Sequence, residues 1–172
     1  MPVKGGVFVL GPKLKVIGPD PFLLAIIIYG PSYVSLESAL SYWGMIPEKV
    51  FTTVSATTRQ SKKYNTQAGK FEYIRMPLPY YAFGLQHVLL TEKHRVLIAS
   101  PEKALCDKII ATSGTFLRSK KQTIEFLLED LRINQSALTS MNITLLEEWI
   151  GIIGLIKRAV YINLKLFSCS IQ

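Results

Sequence analysis

Apolar and polar positions along the chain repeat with the helical period on either side of a middle region that alternates poorly but is rich in strand-forming residues. Asp20-Pro21 predicts a helix start, an N-cap acid followed by proline at the first helical position, with the helix running to Tyr29 and stopping at Gly30-Pro31. Ser35 predicts a second start, because Leu36, Ala39, Leu40 and Trp43 recur at i, i+3, i+4 and i+7 and share one face. Gly44 supplies its stop, with Pro47 just beyond. Residues 50–58 are rich in Val, Thr and Phe and read as a strand. Residues 62–64 and 71–76 flank Asn65-Thr66-Gln67-Ala68-Gly69, which reads as a hairpin loop. Pro77, Pro79 and Gly84 close that ladder, and residues 87–90 and 95–99 are further strands.

The helical period then returns. Ser100-Pro101-Glu102 combines a cap, a proline at N1 and an acid in the first turn. Ala104, Leu105, Ile109 and Ile110 form its apolar stripe, and Gly114 is its expected end. A further helix is expected over 120–132, with Ile124, Leu127, Leu128 and Leu131 inward, and another from Leu145 capped by Thr144. Gly151 and Gly154 weaken the centre of that last helix by about 1 kcal/mol each relative to alanine. This order predicts an α+β fold: a small, mainly antiparallel sheet with a hairpin, packed by N-terminal helices and a C-terminal helical segment.

The two ends read differently. Residues 1–18 are rich in Gly, Pro, Lys and Val, with Val7-Phe8-Val9-Leu10 as a short strand between turns; one strand does not stand alone. Residues 143–172 are apolar on nearly every face of a helix, which calls for burial in the domain or cover by a partner. A homo-oligomer through residues 143–167 is one such solution. No membrane span is expected there, since Lys157, Arg158, Asn163 and Lys165 interrupt the run.

Composition narrows the class. With 172 residues, 49% hydrophobic and 19% charged, the chain can bury a globular core. Two cysteines, Cys106 and Cys169, make no disulfide framework, and the first ten residues lack a signal-peptide pattern, so a reducing, cytoplasmic setting is expected. The net charge of +8 favours an anionic partner such as nucleic acid, though an ordinary basic protein reads the same way.

Candidate chemistry is sparse. The chain has no nucleophile elbow and no phosphate-binding loop of the P-loop kind. Its two histidines, His87 and His94, flank a strand and give no zinc-ligand spacing, so neither metal nor cofactor is expected. A metal-dependent nuclease would need converging carboxylates, with Glu37, Glu72 and Asp107 as the candidates, but no (Asp/Glu)-x-Lys step occurs anywhere. Arg59, Lys62, Lys63 and Lys70 cluster around the hairpin with Tyr64, Phe71 and Tyr73 interleaved, a mix that could track phosphates and stack bases. The alternative is a solvated hairpin whose lysines discourage edge pairing over a packed aromatic core. Arg118, Lys120 and Lys121 form a second basic group at a helix start, where they oppose the macrodipole.

Three stretches carry a resemblance. Tyr33-Val34-Ser35-Leu36-Glu37-Ser38-Ala39-Leu40-Ser41-Tyr42-Trp43-Gly44-Met45-Ile46-Pro47-Glu48 resembles the hallmark of AbiEi-type antitoxins. So do the hairpin Tyr64-Asn65-Thr66-Gln67-Ala68-Gly69-Lys70-Phe71-Glu72-Tyr73 and the helix start Ala99-Ser100-Pro101-Glu102-Lys103-Ala104-Leu105-Cys106-Asp107. The resemblance covers roughly residues 20–112 and departs from the family at Trp43, where histidine or tyrosine is usual. It implies a non-catalytic antitoxin of a type IV toxin–antitoxin system linked to abortive phage infection. The functional partner would be a nucleotidyltransferase-like toxin, with direct contact not expected. Such antitoxins also repress transcription through an N-terminal winged helix. Lys4-Gly5-Gly6-Val7-Phe8-Val9-Leu10 looks like the last wing strand, so residues 1–18 read as a wing remnant and linker, and 19–172 as the antitoxin domain. The remaining alternatives are the nuclease-like enzyme and an oligomerisation module built on the C-terminal helices.

Overall fold

A computed structural model of the chain describes residues 2–4, 7–8, 19–78, 80–92, 94–112, 119–142 and 144–145. The fold is α+β. Its first strands, β1 (Pro2–Lys4) and β2 (Val7–Phe8), pair antiparallel as a small ladder of their own. The main sheet has six strands: β3 (Ser32–Val34), β4 (Thr52–Thr57), β5 (Lys62–Thr66), β6 (Gly69–Arg75), β7 (Leu85–Thr91) and β8 (His94–Ala99). Their spatial order is β5-β6-β4-β3-β8-β7. Pairing is antiparallel at β5/β6, β3/β4 and β7/β8, and parallel at β4/β6 and β3/β8. The sheet is thus mostly antiparallel, as the sequence pattern predicts. It is mixed because β5 lies outside β6, which lets β6 run alongside β4 in the same direction.

The helices start where local chemistry puts them. In α1 (Pro21–Ile28) the Asp20 carboxylate accepts from the backbone N–H of Phe22 at 2.8 Å. In α3 (Pro101–Ala111) the Ser100 hydroxyl oxygen accepts from the N–H of Lys103 at 3.2 Å. These satisfy helix-end donors that would otherwise lack partners. Between them, α2 (Leu36–Tyr42) begins differently. Ser35 stands at its N-cap, but the hydroxyl makes no capping bond, and Leu36 has φ 50°. The capping role expected for Ser35 is therefore corrected: its side chain is committed to the core.

Four other expectations change. The five-residue loop 65–69 shrinks to Gln67-Ala68, because both strands continue to the turn and Thr66 pairs with Gly69. The strand β3 was not expected; three residues are too few to show an alternation. The single helix over 120–132 is α4 (Lys120–Glu125) followed by a π-helical turn over Phe126–Asp130, where Leu131 N–H bonds the Phe126 carbonyl. A short α5 (Gln135–Thr139), capped by Asn134, follows. The cap expected of Thr144 falls to Asn142, whose side-chain oxygen accepts from Thr144 N–H at 3.1 Å. Gly114 and residues 146–172, including most of the apolar segment 143–167, lie outside the described residues. Among the described residues no helix is long and apolar enough to cross a membrane.

Strand alternation divides the core in two. Phe71 and Tyr73 of β6 pack with Leu24, Ala25 and Ile28 of α1. Val54, Ala56 and Ile74 turn to the opposite face, into the larger core with α2, α3 and Leu127. The turn into β6 is set by Gly69 at φ 137°, a conformation that side-chain-bearing residues rarely adopt. A Cβ there would meet only the Phe71 ring, at 3.7 Å and 3.8 Å, so the obstacle is conformational and not spatial. Gly69→Ala is expected to lose about 1–3 kcal/mol in urea unfolding. An unchanged midpoint would mean that the turn is not held as described.

Candidate functional site

Two of the three sequence stretches meet at one buried cluster. Tyr33 on β3 and Ser35, the extended residue just after it, are two apart and so project to the same side. On α3, Lys103 and Asp107 are four apart and share one helix face. One Asp107 carboxylate oxygen, Oδ2, accepts from Ser35 Oγ at 2.6 Å and from Tyr33 Oη at 2.9 Å. Lys103 Nζ stands 3.2 Å from the other, Oδ1, as an ion pair lacking hydrogen-bond alignment. The same ammonium donates to the Tyr80 carbonyl at 2.8 Å and lies 3.1 Å from the centroid of the Tyr80 ring. The Tyr80 hydroxyl faces the Asp107 charge without hydrogen-bond geometry. Both charged side chains are 0% exposed.

Burial governs the protonation of this cluster. It pushes the Tyr33 and Tyr80 phenols far above the usual tyrosine range, and the negative Asp107 pushes them further. Burial also raises Tyr73, whose hydroxyl donates to the Ala25 carbonyl at 2.6 Å. The same desolvation lowers Lys103, while the Asp107 charge opposes the fall. A buried cation and anion compensating each other in this way hold α3 against the strand at Tyr33 and the segment at Tyr80.

The other candidate acids lie elsewhere. Glu37 and Glu72 line a cleft of about 770 Å³ between α2, α3, the π-helical turn and the face of β4 and β6. Glu48 and Asp130 line it too. Three of these four are tied to cations: Glu37 to Lys108, Glu72 to Lys63 at 2.8 Å, and Glu48 to Arg132 at 3.5 Å. Asp107 takes no part in this cleft. Among the described residues, no three His, Cys, Asp or Glu side chains come together as a metal-binding group. His94 sits at the β7–β8 turn with its Nδ1 3.0 Å from Thr91 Oγ1.

The basic residues of the hairpin do not form one patch. Lys62 pairs with Tyr73 and Lys63 with Glu72, so the two lysines project to opposite faces. Lys62 lies over the Tyr64 ring at 5.5 Å, and Arg59 lies over Tyr29 at 5.2 Å while donating to the Gly30 carbonyl. Tyr29, Tyr64 and Tyr73 pack edge to tilted against one another on that side. Lys63 and Lys70 share the other face, where Glu72 neutralises Lys63. Of the second group, Arg118 lies outside the described residues and Lys121 is exposed.

Sequence reasoning missed the buried cluster. Its signal was the Lys103–Asp107 spacing of four on a helix otherwise striped with Ala104, Leu105 and Ile109. Trp43 was expected to serve only the core; its indole N–H also donates to the Ala99 carbonyl at 2.8 Å, tying α2 to the end of β8. No family model matches the chain, and no curated protein matches it.

Removing one partner of a buried pair leaves the other charge uncompensated. Asp107→Ala is expected to lose about 3–5 kcal/mol in denaturant unfolding, and Lys103→Met combined with Asp107→Leu to recover most of that loss. If the single and double variants lose equally, the pair is not the source of the effect. Alkaline pH provides a second check. Above pH about 10 an unfolded tyrosine ionises, whereas Tyr33, Tyr73 and Tyr80 stay protonated when folded. The native state then holds more protons and stability falls as pH rises. Lys103 acts in the opposite sense, because its folded pKa is lowered, but its contribution ends at the ordinary lysine value of about 10.5. Three phenols outweigh one amine, so phenolate absorbance from these tyrosines should appear together with loss of circular dichroism. Complete ionisation of all eight tyrosines with native dichroism would contradict this.

Proposed function

We propose that this chain is the non-catalytic body of an AbiEi-type antitoxin, acting in the cytoplasm against a nucleotidyltransferase-like toxin. The observation that carries this reading is the shared cluster. The hallmark-like stretch at 33–48 and the helix start at 99–107 are far apart in sequence, yet they supply Tyr33, Ser35, Lys103 and Asp107 to one buried network. The third stretch supplies Gly69 at the hairpin turn. Residues that resemble the family's motifs thus act here as scaffold, which is what a recognition protein without bond-making groups requires. The net charge of +8 supports an anionic partner, with DNA as the candidate.

A second reading keeps one supporting observation. Glu37 and Glu72 line the same cleft, as a nuclease-like site would require, though each is paired with a lysine. The test is co-expression of the full chain with a nucleotidyltransferase-like toxin of the AbiE type. Restored growth is the expected result, and it should persist in Glu37→Gln and Glu72→Gln. Growth arrest that the chain fails to relieve would remove the antitoxin reading. Plasmid cleavage by the purified chain with Mg²⁺ or Mn²⁺, abolished by either glutamine variant, would establish the enzyme instead. For DNA binding, Lys62→Glu should weaken duplex affinity and lower the salt slope by about 1. Lys63→Glu should do less, because Glu72 already neutralises Lys63. Equal effects of the two reversals in an anisotropy titration would rule out this asymmetry.

A further inference from the structure

A second, smaller hollow lies at the end of β4 and β6, on the far side of Phe51 from the acidic cleft. Its volume is about 290 Å³, and Phe51 lines both spaces. The hollow is walled by the rings of Phe22, Tyr42, Phe51 and Phe71, with Lys70 at its rim. Phe51 is 84% exposed and makes no ring contact with a described residue. Tyr42 is 41% exposed, but its ring is held edge-on by Phe22 at 5.9 Å and by Trp43 at 4.9 Å, so it is a fixed platform. Ring faces left bare in water beside a cavity are what planar ligands stack on.

Charge decides what kind of planar ligand. Among the described residues no carboxylate lines the hollow, whereas four line the cleft across Phe51. Lys70 is exposed and has no ion-pair partner among the described residues. A negatively charged ligand therefore meets a lysine and no carboxylate in the hollow, whereas the cleft offers it four carboxylates, three of them already paired with cations. At about 290 Å³ the hollow is at the lower limit for small-molecule pockets, which suits one base and not a dinucleotide. A base inside a duplex cannot present its face to such walls, so the fitting form is single-stranded.

We propose that this hollow takes one unstacked base of a single-stranded nucleic acid, stacked on Phe51 and Tyr42, with the adjoining phosphate on Lys70. The site is independent of the antitoxin reading and of the duplex contact at Lys62. The test uses the full chain and a labelled oligo(dT) strand in anisotropy titrations, beside a duplex and an abasic strand of the same length. Phe51→Ala should weaken oligo(dT) binding by about 5- to 100-fold, the range for losing one stacked base, and leave duplex binding unchanged. Phe51→Trp should restore it. Lys70→Ala should weaken it and flatten its salt dependence. The abasic strand should bind the wild-type chain more weakly than oligo(dT). Because Phe51 is so exposed, Phe51→Ala should keep the wild-type melting curve, so that lost binding is not lost folding. Equal affinity for the abasic strand, or wild-type affinity in Phe51→Ala, would overturn the site, as would no binding of oligo(dT) at millimolar concentration. None of these results bears on toxin neutralisation, so failure here is distinguishable from failure of the antitoxin reading.

Discussion

The ion pair between Lys103 and Asp107 is the constraint on which the rest of the structure depends. The six-stranded sheet has two halves, β5-β6-β4 and β8-β7, and they join only through β3. That strand has three residues, and its register with β8 is a single pair, Val34 with Ile98. A ladder so short contributes little cohesion of its own. What fixes β3 is Asp107, which collects the hydroxyls of Tyr33 and Ser35 on either side of Val34. Lys103 stands beside the same carboxylate as its buried ion-pair partner. The ammonium is itself held by the Tyr80 carbonyl, in the segment leading into β7. One charge pair therefore ties α3 both to the joining strand β3 and to the segment between β6 and β7. Its loss, at several kcal/mol, is comparable with the 5–15 kcal/mol that separates folded from unfolded domains.

Other polar contacts extend the same plan outward. Glu102 accepts from Ser100 Oγ and, through its second oxygen, from the N–H of Asn142, so the start of α3 anchors the chain after α5. Asn134 N–H bonds the Met45 carbonyl, which ties the α5 cap to the end of α2. Trp43 does the same between α2 and β8. Lys108 with Glu37 joins α3 to α2. Acids in this chain are few, and those in the core or the cleft are largely spent on such ties. Among the described residues, Lys62 and Lys70 of the hairpin are exposed. That distribution follows from desolvation: a buried carboxylate is retained only when donors surround it, while an exposed lysine needs none.

How much was legible depended on whether a feature is local. Asp20-Pro21 and Ser100-Pro101 announced their helices because a cap and a proline act within one turn. The hairpin was visible at Gly69, but its length was not, since Thr66 reads as loop until its pairing with Gly69 is known. Tyr33 and Ser35 looked like the approach to a helix; only Asp107, more than seventy residues later, turns their hydroxyls into a buried pair. The π-helical turn at Phe126–Asp130 had no signal of its own, because Ile124, Leu127 and Leu131 fit an uninterrupted helix equally well. Among the basic residues, the separation of Lys62 from Lys63 was readable from strand alternation. The exposure of Phe51 was not: an aromatic before a Thr/Val-rich strand looks like core until its neighbours are placed.

Phe51 also shows why a scaffold of this kind need not be passive. The residue begins the approach to β4, and β4 sits between β3 and β6, next to the strand that the buried pair anchors. Ser38 reinforces that strand end, accepting from the N–H of Val54 and donating to the Thr52 carbonyl. The backbone carrying Phe51 is thus held on one side by α2 and on the other by the sheet. An exposed ring on a mobile loop would lose conformational entropy on stacking; one presented from a fixed strand end loses little. The same fixed strand end places Phe51 at the edge of both the large cleft and the small hollow that Lys70 lines. Two neighbouring spaces can then share a single wall, because the charge pair behind β3 fixes the sheet from which that wall projects.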